Sequence, residues 1–96
     1  MLEIRPNCEH CGKDLPNIST EAMICSFECT YCAKCAITVF KNVCPTCGGN
    51  FEKRPIRPTI MARKYPVSTN KLIAPKDLEK AQKLIIKYRD ISPEKR

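Results

Sequence analysis

The chain has 96 residues, eight of them cysteine and none of them tryptophan, and a formal net charge of +7. This length makes one domain with an appended tail and is too small for a barrel enzyme. No apolar run approaches the ~20 residues that a membrane-spanning helix needs, so no membrane segment is expected. We expect instead a small domain whose limited core is stapled by metal ions or disulfides.

The start of the chain favours metal over disulfides. Residues 1–7 contain no basic stretch followed by an apolar one, so no export signal is predicted and we expect a cytoplasmic protein. Thiols stay reduced in the cytosol, where closely paired cysteines bind metal. Zinc is the expected ion. An iron–sulfur cluster is the first alternative, and disulfides are the second.

Two Cys-x-x-Cys loops, Cys8–Cys11 and Cys44–Cys47, are each followed by glycine. We predict that each forms a zinc knuckle, in which the glycine adopts a positive φ and backbone N–H groups donate hydrogen bonds to sulfur. His10, the only histidine, stands between two of these cysteines. We expect its side chain at the exposed tip of the knuckle, and the alternative is a substitute ligand or proton donor.

The chain between the knuckles has the pattern of a hairpin followed by a helix. Residues 21–28 alternate in the manner of a short strand or hairpin arm. Apolar residues then recur at helical spacing, which predicts a helix over residues 31–41 with Thr30 as its N-cap and Cys32 and Cys35 in its first turn. The helix dipole would favour thiolates there. A further short strand is predicted over residues 51–54.

The second half of the chain is basic and ends in a predicted helix. Residues 53–58 alternate cations with proline and are expected to be extended and exposed. Residues 75–89 predict an amphipathic helix that begins at Pro75. We expect its apolar stripe to pack on its own domain, a dimer or partner surface being the alternative; the stripe consists of Leu78, Ala81, Leu84, Ile85 and Tyr88.

These patterns predict three segments. Residues 1–54 form a two-zinc domain, residues 55–74 a basic proline-containing linker, and residues 75–90 a C-terminal amphipathic helix. The predicted fold is a small zinc-stabilised α+β domain with a RING-like cross-brace or treble-clef architecture. It contains two zinc sites, a short β-hairpin and one helix, with the C-terminal helix added.

The eight cysteines form four closely spaced pairs, which predicts two closed sites with four thiolates each. A closed site has no open position for water or substrate, so the two Zn²⁺ ions are expected to be structural. In a sequential arrangement one ion is held by Cys8, Cys11, Cys25 and Cys29, and the other by Cys32, Cys35, Cys44 and Cys47. In an interleaved arrangement the sets are Cys8, Cys11, Cys32 and Cys35 (site 1), and Cys25, Cys29, Cys44 and Cys47 (site 2). We favour the interleaved arrangement, because a knuckle, a hairpin and two cysteines opening a helix follow the layout of a treble-clef site.

The cysteine spacing C-x2-C-x13-C-x3-C-x2-C-x2-C-x8-C-x2-C over residues 8–47 resembles the RING finger pattern, with cysteine where RING domains usually have histidine. The resemblance implies a cross-braced fold. RING ubiquitin ligases typically have an apolar residue between their first two ligands, where this chain has Glu9 and His10. They also often carry a surface tryptophan, which this chain lacks. A ubiquitin-ligase-like adaptor is therefore the least favoured function.

A second resemblance covers roughly residues 1–72. It rests on five runs that are similar to a small, mainly bacterial family known as domain of unknown function 1272: Met1–Pro16, Ile24–Ala36, Cys44–Gly49, Arg54–Pro58 and Lys64–Pro66. The resemblance implies cysteine-rich zinc binding and no established activity.

The leading hypothesis is a non-catalytic zinc-binding protein that acts as a small protein-interaction module. No Ser/His/Asp set or phosphate-binding loop occurs, so neither an enzyme nor a small-molecule substrate is predicted. Residues 48–96 hold thirteen Lys/Arg against five Asp/Glu, which makes nucleic-acid binding through the basic tail the alternative. The expected contacts to a partner protein or nucleic acid are Lys53, Arg54, Arg57, Arg63, Lys64 and Tyr65, with Lys71 added for nucleic acid.

Overall fold

A three-stranded antiparallel sheet lies at the centre of the fold, in a computed structural model that describes all residues from Met1 to Arg96. The first two strands form the predicted hairpin, with Met23 opposite Tyr31. The third strand pairs with the other side of the first strand and confirms the strand expected over residues 51–54. In the order β2–β1–β3, the strands are β1 at Ala22–Ile24, β2 at Thr30–Cys32 and β3 at Glu52–Lys53.

The helix predicted over residues 31–41 is shorter in the structure than predicted, and it is a π-helix instead of an α-helix. Residues Thr30–Cys32 pair with β1 as a strand, and only Lys34–Val39 is helical, as a single π-helical segment. Thr30 is therefore not an N-cap. It is a buried strand residue whose hydroxyl donates to the Glu28 carbonyl oxygen at 2.9 Å. The prediction was wrong here because pairing with β1 outweighs the helical periodicity of this short segment.

Two α-helices follow the sheet. α1 spans Thr59–Lys64, within the segment predicted to be a linker, and has no buried residue. α2 spans Leu78–Tyr88. It begins after Asp77, whose carboxylate accepts from the backbone N–H groups of Glu79 (3.0 Å) and Lys80 (3.4 Å), so the helix starts later than the predicted Pro75. A short 3-10 helix spans Pro93–Lys95.

The core joins the sheet, the π-helical segment and α2. Tyr31 packs edge-on against both Phe40 and Phe51, with ring centroids 5.0 and 5.4 Å apart. From α2, Ala81 and Ile85 are buried in the same cluster. The expectation that this helix packs on its own domain is therefore confirmed, although Leu78 at its start is exposed.

Residues 67–76, here called the strap, lie along the first knuckle. The backbone N–H of Ala74 donates to the Glu9 carbonyl oxygen at 2.8 Å, and the Asn7 side-chain amide donates to the Leu72 carbonyl oxygen at 2.9 Å. Nearer the start of the strap, Ser68 N–H donates to the Ile4 carbonyl oxygen at 3.0 Å. The strap is therefore part of the folded domain. No helix in the structure has the length and apolarity needed to span a bilayer.

Candidate metal centre

The first knuckle is a tight turn closed by three hydrogen bonds. Cys8 N–H donates to the Lys13 carbonyl oxygen at 2.8 Å, and Gly12 N–H donates to the Cys8 carbonyl oxygen at 3.0 Å. Gly12 has φ of +81°, a conformation that glycine adopts without strain. Cys11 N–H points at the Cys8 sulfur, 3.5 Å away. The turn thus presents two sulfur atoms on one side and directs a backbone donor toward one of them.

The second knuckle repeats this arrangement. Cys44 N–H donates to the Gly49 carbonyl oxygen at 2.7 Å, and Gly48 N–H donates to the Cys44 carbonyl oxygen at 2.8 Å. Gly48 has φ of +77°, and Gly49 N–H points at the Cys47 sulfur, 3.4 Å away. The role predicted for the glycine after each Cys-x-x-Cys loop is confirmed in both knuckles.

Four sulfur atoms meet beside the first knuckle. Those of Cys8, Cys11, Cys32 and Cys35 all lie within 4.8 Å of one another. The Cys11 and Cys32 sulfur atoms are 3.8 Å apart. With Zn–S bonds of about 2.3 Å, the edge of a tetrahedral site is about 3.8 Å, whereas a disulfide would require about 2.05 Å. The geometry therefore fits four thiolates around one metal ion.

Three sulfur atoms meet beside the second knuckle. Those of Cys25, Cys44 and Cys47 lie within 4.8 Å of one another. Cys29, the fourth predicted ligand of this site, is not in that group of three. It lies nearby, since the Cys25 backbone N–H donates to the Cys29 carbonyl oxygen at 3.2 Å, and the neighbouring Cys44 and Cys25 thiols lower the pKa of Cys29 to about 6. All eight cysteines are free thiols in the structure.

The register of the sheet explains which cysteines meet. Cys25 directly follows β1 and Cys29 directly precedes β2, so both lie at the turn end of the hairpin, whereas Cys32 lies at its open end. β3 pairs Glu52 with Ile24, which brings the knuckle just before β3 to the turn end. Seven of the eight sulfur atoms, all but that of Cys29, are consequently grouped as in the interleaved arrangement. Which ions these groups hold stays a prediction.

The thiols of each group cannot all ionise by themselves. Burial raises the pKa of Cys35, and the adjacent Cys32 thiol raises it further. The pKa of Cys44 is raised first by the neighbouring Cys29 thiol and then by burial. Each added thiolate would face the negative charge of its neighbours. A divalent cation removes this repulsion and lets the whole group deprotonate, so the donor chemistry fits a metal such as zinc.

The two residues between the first ligands, Glu9 and His10, hold the site in place. The buried Glu9 carboxylate accepts from the backbone N–H of Thr30 and, at 2.8 Å, from the Arg5 guanidinium. His10 packs edge-on against Phe40 at 5.1 Å, and its Nδ1 accepts from the Lys76 backbone N–H at 3.0 Å. His10 is thus not an exposed tip. In the sequence, the only sign of this role is that two polar residues, Glu9 and His10, stand between two cysteines. The sequence-based prediction did not assign them a packing role.

The predicted partner contacts divide into two kinds. The expectation that residues 53–58 are exposed is wrong for Arg54, which is buried and donates to the carbonyl oxygens of Arg5 (2.8 Å), Leu15 (3.0 Å) and Pro16 (2.8 Å). Its burial is offset by these hydrogen bonds, which it shares at Pro16 with the Ser19 N–H (2.9 Å), and burial lowers the pKa of Arg54. Its guanidinium is therefore occupied inside the protein.

The other predicted contacts lie at the surface. Arg57 donates to the Tyr65 carbonyl oxygen at 3.1 Å, and the Lys64 ammonium stands 5.5 Å from the centre of the Tyr65 ring. The structure therefore brings these three residues together. Arg63 is exposed in the last turn of α1, and Lys53 is exposed on β3.

Comparison with known proteins was made for the sequence and for the fold. The profile of the family described as "Protein of unknown function (DUF1272)" matches residues 1–57. An uncharacterized protein of Rhizobium meliloti (strain 1021) is 55% identical over 75 residues, covering 78% of this chain and 89% of that protein. No solved structure matches the chain. On the family profile and this relative, the chain is a member of the DUF1272 family.

Proposed function

We propose that this protein is a non-catalytic, two-zinc interaction module of the cytoplasm, in which the metal ions hold a RING-like, cross-braced fold. The observation that carries the proposal is the group of four sulfur atoms beside the first knuckle, all within 4.8 Å of one another. Four thiolates complete the shell of a tetrahedral ion and leave no position for water or substrate. The ion would then stabilise the fold and take no part in a reaction.

The second site is proposed to hold a zinc ion with Cys29 as its fourth ligand. Cys25 and Cys29 flank a tight turn in which Glu28 has φ of +65° and Phe27 N–H points at the Cys25 sulfur, 3.3 Å away. The pKa of Cys29, lowered to about 6 by Cys44, favours a thiolate at this position. We expect this turn to bring the fourth sulfur to the other three when the ion binds. Interleaved ligands would join distant parts of the chain at both sites.

The interaction role is supported by the surface. Large apolar side chains are exposed on several elements, including Phe27 (70%) in the hairpin turn and Ile60 (73%) on α1. Contiguous apolar surface is typical of binding sites, and Ile56, Met61 and Tyr65, each at least 39% exposed, line a single groove. Nucleic-acid binding is less well supported, since Arg54 donates only to internal carbonyl groups and so cannot contact phosphate.

Cobalt substitution tests the proposed metal sites. Metal-free protein titrated with Co²⁺ should develop sulfur-to-cobalt charge-transfer bands and the visible bands of tetrahedral cobalt, saturating at two equivalents. Zn²⁺ should then abolish both. The matched variants Cys11→Ser and Cys29→Ser should each alter the bands of one equivalent and spare the other. Octahedral spectra, or saturation at one equivalent in the unaltered protein, would contradict the two-site proposal.

A further inference from the structure

A shallow apolar groove lies on the side of the domain formed by the N-terminal segment and the chain around α1. Its volume is about 340 Å³, at the lower end of the about 300–1,000 Å³ typical of ligand pockets. It is called the N-terminal groove here, and its apolar lining includes Leu2, Ile4, Ile56, Pro58, Met61 and Tyr65. None of these residues is a predicted metal ligand, so the groove is separate from the metal centre.

Two arginines connect the segments that line the groove through hydrogen bonds to backbone carbonyl groups. Arg57 donates to the Leu2 carbonyl oxygen at 2.7 Å and to the Tyr65 carbonyl oxygen at 3.1 Å, which fixes the N-terminal segment and the end of α1 relative to residue 57. Arg54 donates to the Arg5 carbonyl oxygen at 2.8 Å from beneath the same segment. Hydrogen bonds to backbone groups thus set the spacing of the lining elements. A preformed groove avoids part of the ordering cost of binding.

The apolar side chains of the groove are available to a partner. Ile56 is 50% exposed, Met61 43% and Tyr65 39%. α1 contributes no residue to the core, so the apolar residues on this helix do not stabilise the domain by burial. A partner that covered them would bury apolar area that the folded chain leaves in water.

The charge around the groove specifies the kind of partner. Seven Lys and Arg residues and no Asp or Glu occur between Glu52 and Asp77. Lys71 pairs with Asp14, and Arg63 and Lys64 at the end of α1 form no ion pair. The groove is therefore apolar inside and positively charged at one end. Such a surface complements apolar side chains next to carboxylates.

We propose that the N-terminal groove binds an extended segment of a partner protein in which two or three apolar side chains are flanked by Asp or Glu. This inference rests on the proposed interaction role. A protein segment fits better than a nucleic acid, because the groove needs apolar side chains to fill it. Tyr65 is its one aromatic residue, too few for a series of stacked bases.

Peptide selection tests the groove directly. The zinc-loaded protein is used to select binders from a random dodecapeptide library displayed on phage, and enriched peptides are synthesised and measured by fluorescence anisotropy. We expect enrichment of peptides with alternating apolar and acidic residues. Ile56→Asp and Met61→Asp should each weaken binding by about tenfold or more, as loss of a central contact does. Lys64→Glu, at the charged end of the groove, should also weaken binding and should reduce its dependence on salt. Ile86→Asp on α2 is the matched control and should leave binding unchanged, since Ile86 is 61% exposed and does not line the groove.

The other outcomes separate the groove from the interaction role. If peptides bind the groove variants and the unaltered protein equally well, the N-terminal groove is not the peptide-binding site. The interaction role would not be contradicted by that result. A library that yields no enriched peptide would contradict the groove as a peptide site and would not contradict the interaction role. Single-stranded RNA or anionic vesicles that bind in place of peptides, with the same sensitivity to Lys64→Glu, would overturn the proposed protein partner. Zinc content and far-ultraviolet circular dichroism of each variant confirm that it is folded.

Discussion

The ring of Tyr88 lies directly against the backbone of Gly48. A methyl group placed on Gly48 would stand 3.1 Å from Cε2 and 3.3 Å from Cδ2 of that ring. The contact joins the last residue of α2 to the second knuckle. An equivalent contact joins the strap to the first knuckle, where a methyl on Gly12 would stand 3.0 Å from Cδ1 of Ile73. Both knuckles are thus covered by the part of the chain that follows the family profile match.

Gly48→Ala should lower the free energy of unfolding of the zinc-loaded protein by about 2–3 kcal/mol. About 1–2 kcal/mol would come from the φ of +77°, and the remainder from the contact with Tyr88. Gly49→Ala is the control and should cost less, because Gly49 has no positive φ and its added methyl would meet only the Cys47 sulfur, at 3.3 Å. Urea denaturation measures both. When Tyr88 is also replaced by Ala, Gly48→Ala should lower the free energy of unfolding only by the part that comes from the positive φ. If the loss is the same with and without Tyr88, the contact with the ring does not contribute.

Two neighbouring isoleucines test whether α2 belongs to the core. Ile85 is 3% exposed and Ile86 61% exposed. Ile85→Ala should destabilise the protein by about 2–4 kcal/mol, because it removes buried methyl groups and leaves a cavity. Ile86→Ala should change stability by no more than about 0.5 kcal/mol. Thermal unfolding at fixed zinc concentration measures the difference, and equal effects of the two substitutions would mean that α2 does not dock as described.

Arg54→Met tests the buried guanidinium. The substitution removes the donors to three carbonyl oxygens, two of them on the loop that follows the first knuckle. We expect a loss of about 2–4 kcal/mol, because the Arg5 and Leu15 carbonyl oxygens would lose their donor, while the Pro16 carbonyl oxygen keeps the Ser19 N–H. Lys53→Met next to it is the control and should be nearly neutral because Lys53 is exposed. If both substitutions are neutral in urea denaturation, Arg54 does not hold the N-terminal segment.

The sequence predicts what depends on nearby residues. Each knuckle needs two cysteines three positions apart and a glycine after them, and both turns form as expected around Gly12 and Gly48. The short strands and the position of α2 also follow from local patterns. The predicted helix over residues 75–89 ends within one residue of the observed end of α2. Its start depends on which side chain caps the helix, and the cap is Asp77.

The remaining features depend on distant parts of the chain. Thr30 pairs in a sheet although the residues after it have helical periodicity, and no local pattern shows which of the two prevails. Arg54 is buried because its partners lie 38 to 49 residues away in the sequence. His10 is held by the strap at Lys76, 66 residues away. Side chains that sequence patterns assign to the surface are thus used to join segments.

Native mass spectrometry tests the account most directly. The protein is purified without added metal and its mass is measured before and after mild acid. The protein should show a mass excess of two zinc ions, lost together with the charge-state distribution of a folded protein, because structural zinc contributes about 10–16 kcal/mol per site in small peptides. A folded protein that carries one zinc ion or none, iron with labile sulfide, or a mass reduced by two hydrogens per cysteine pair would contradict it.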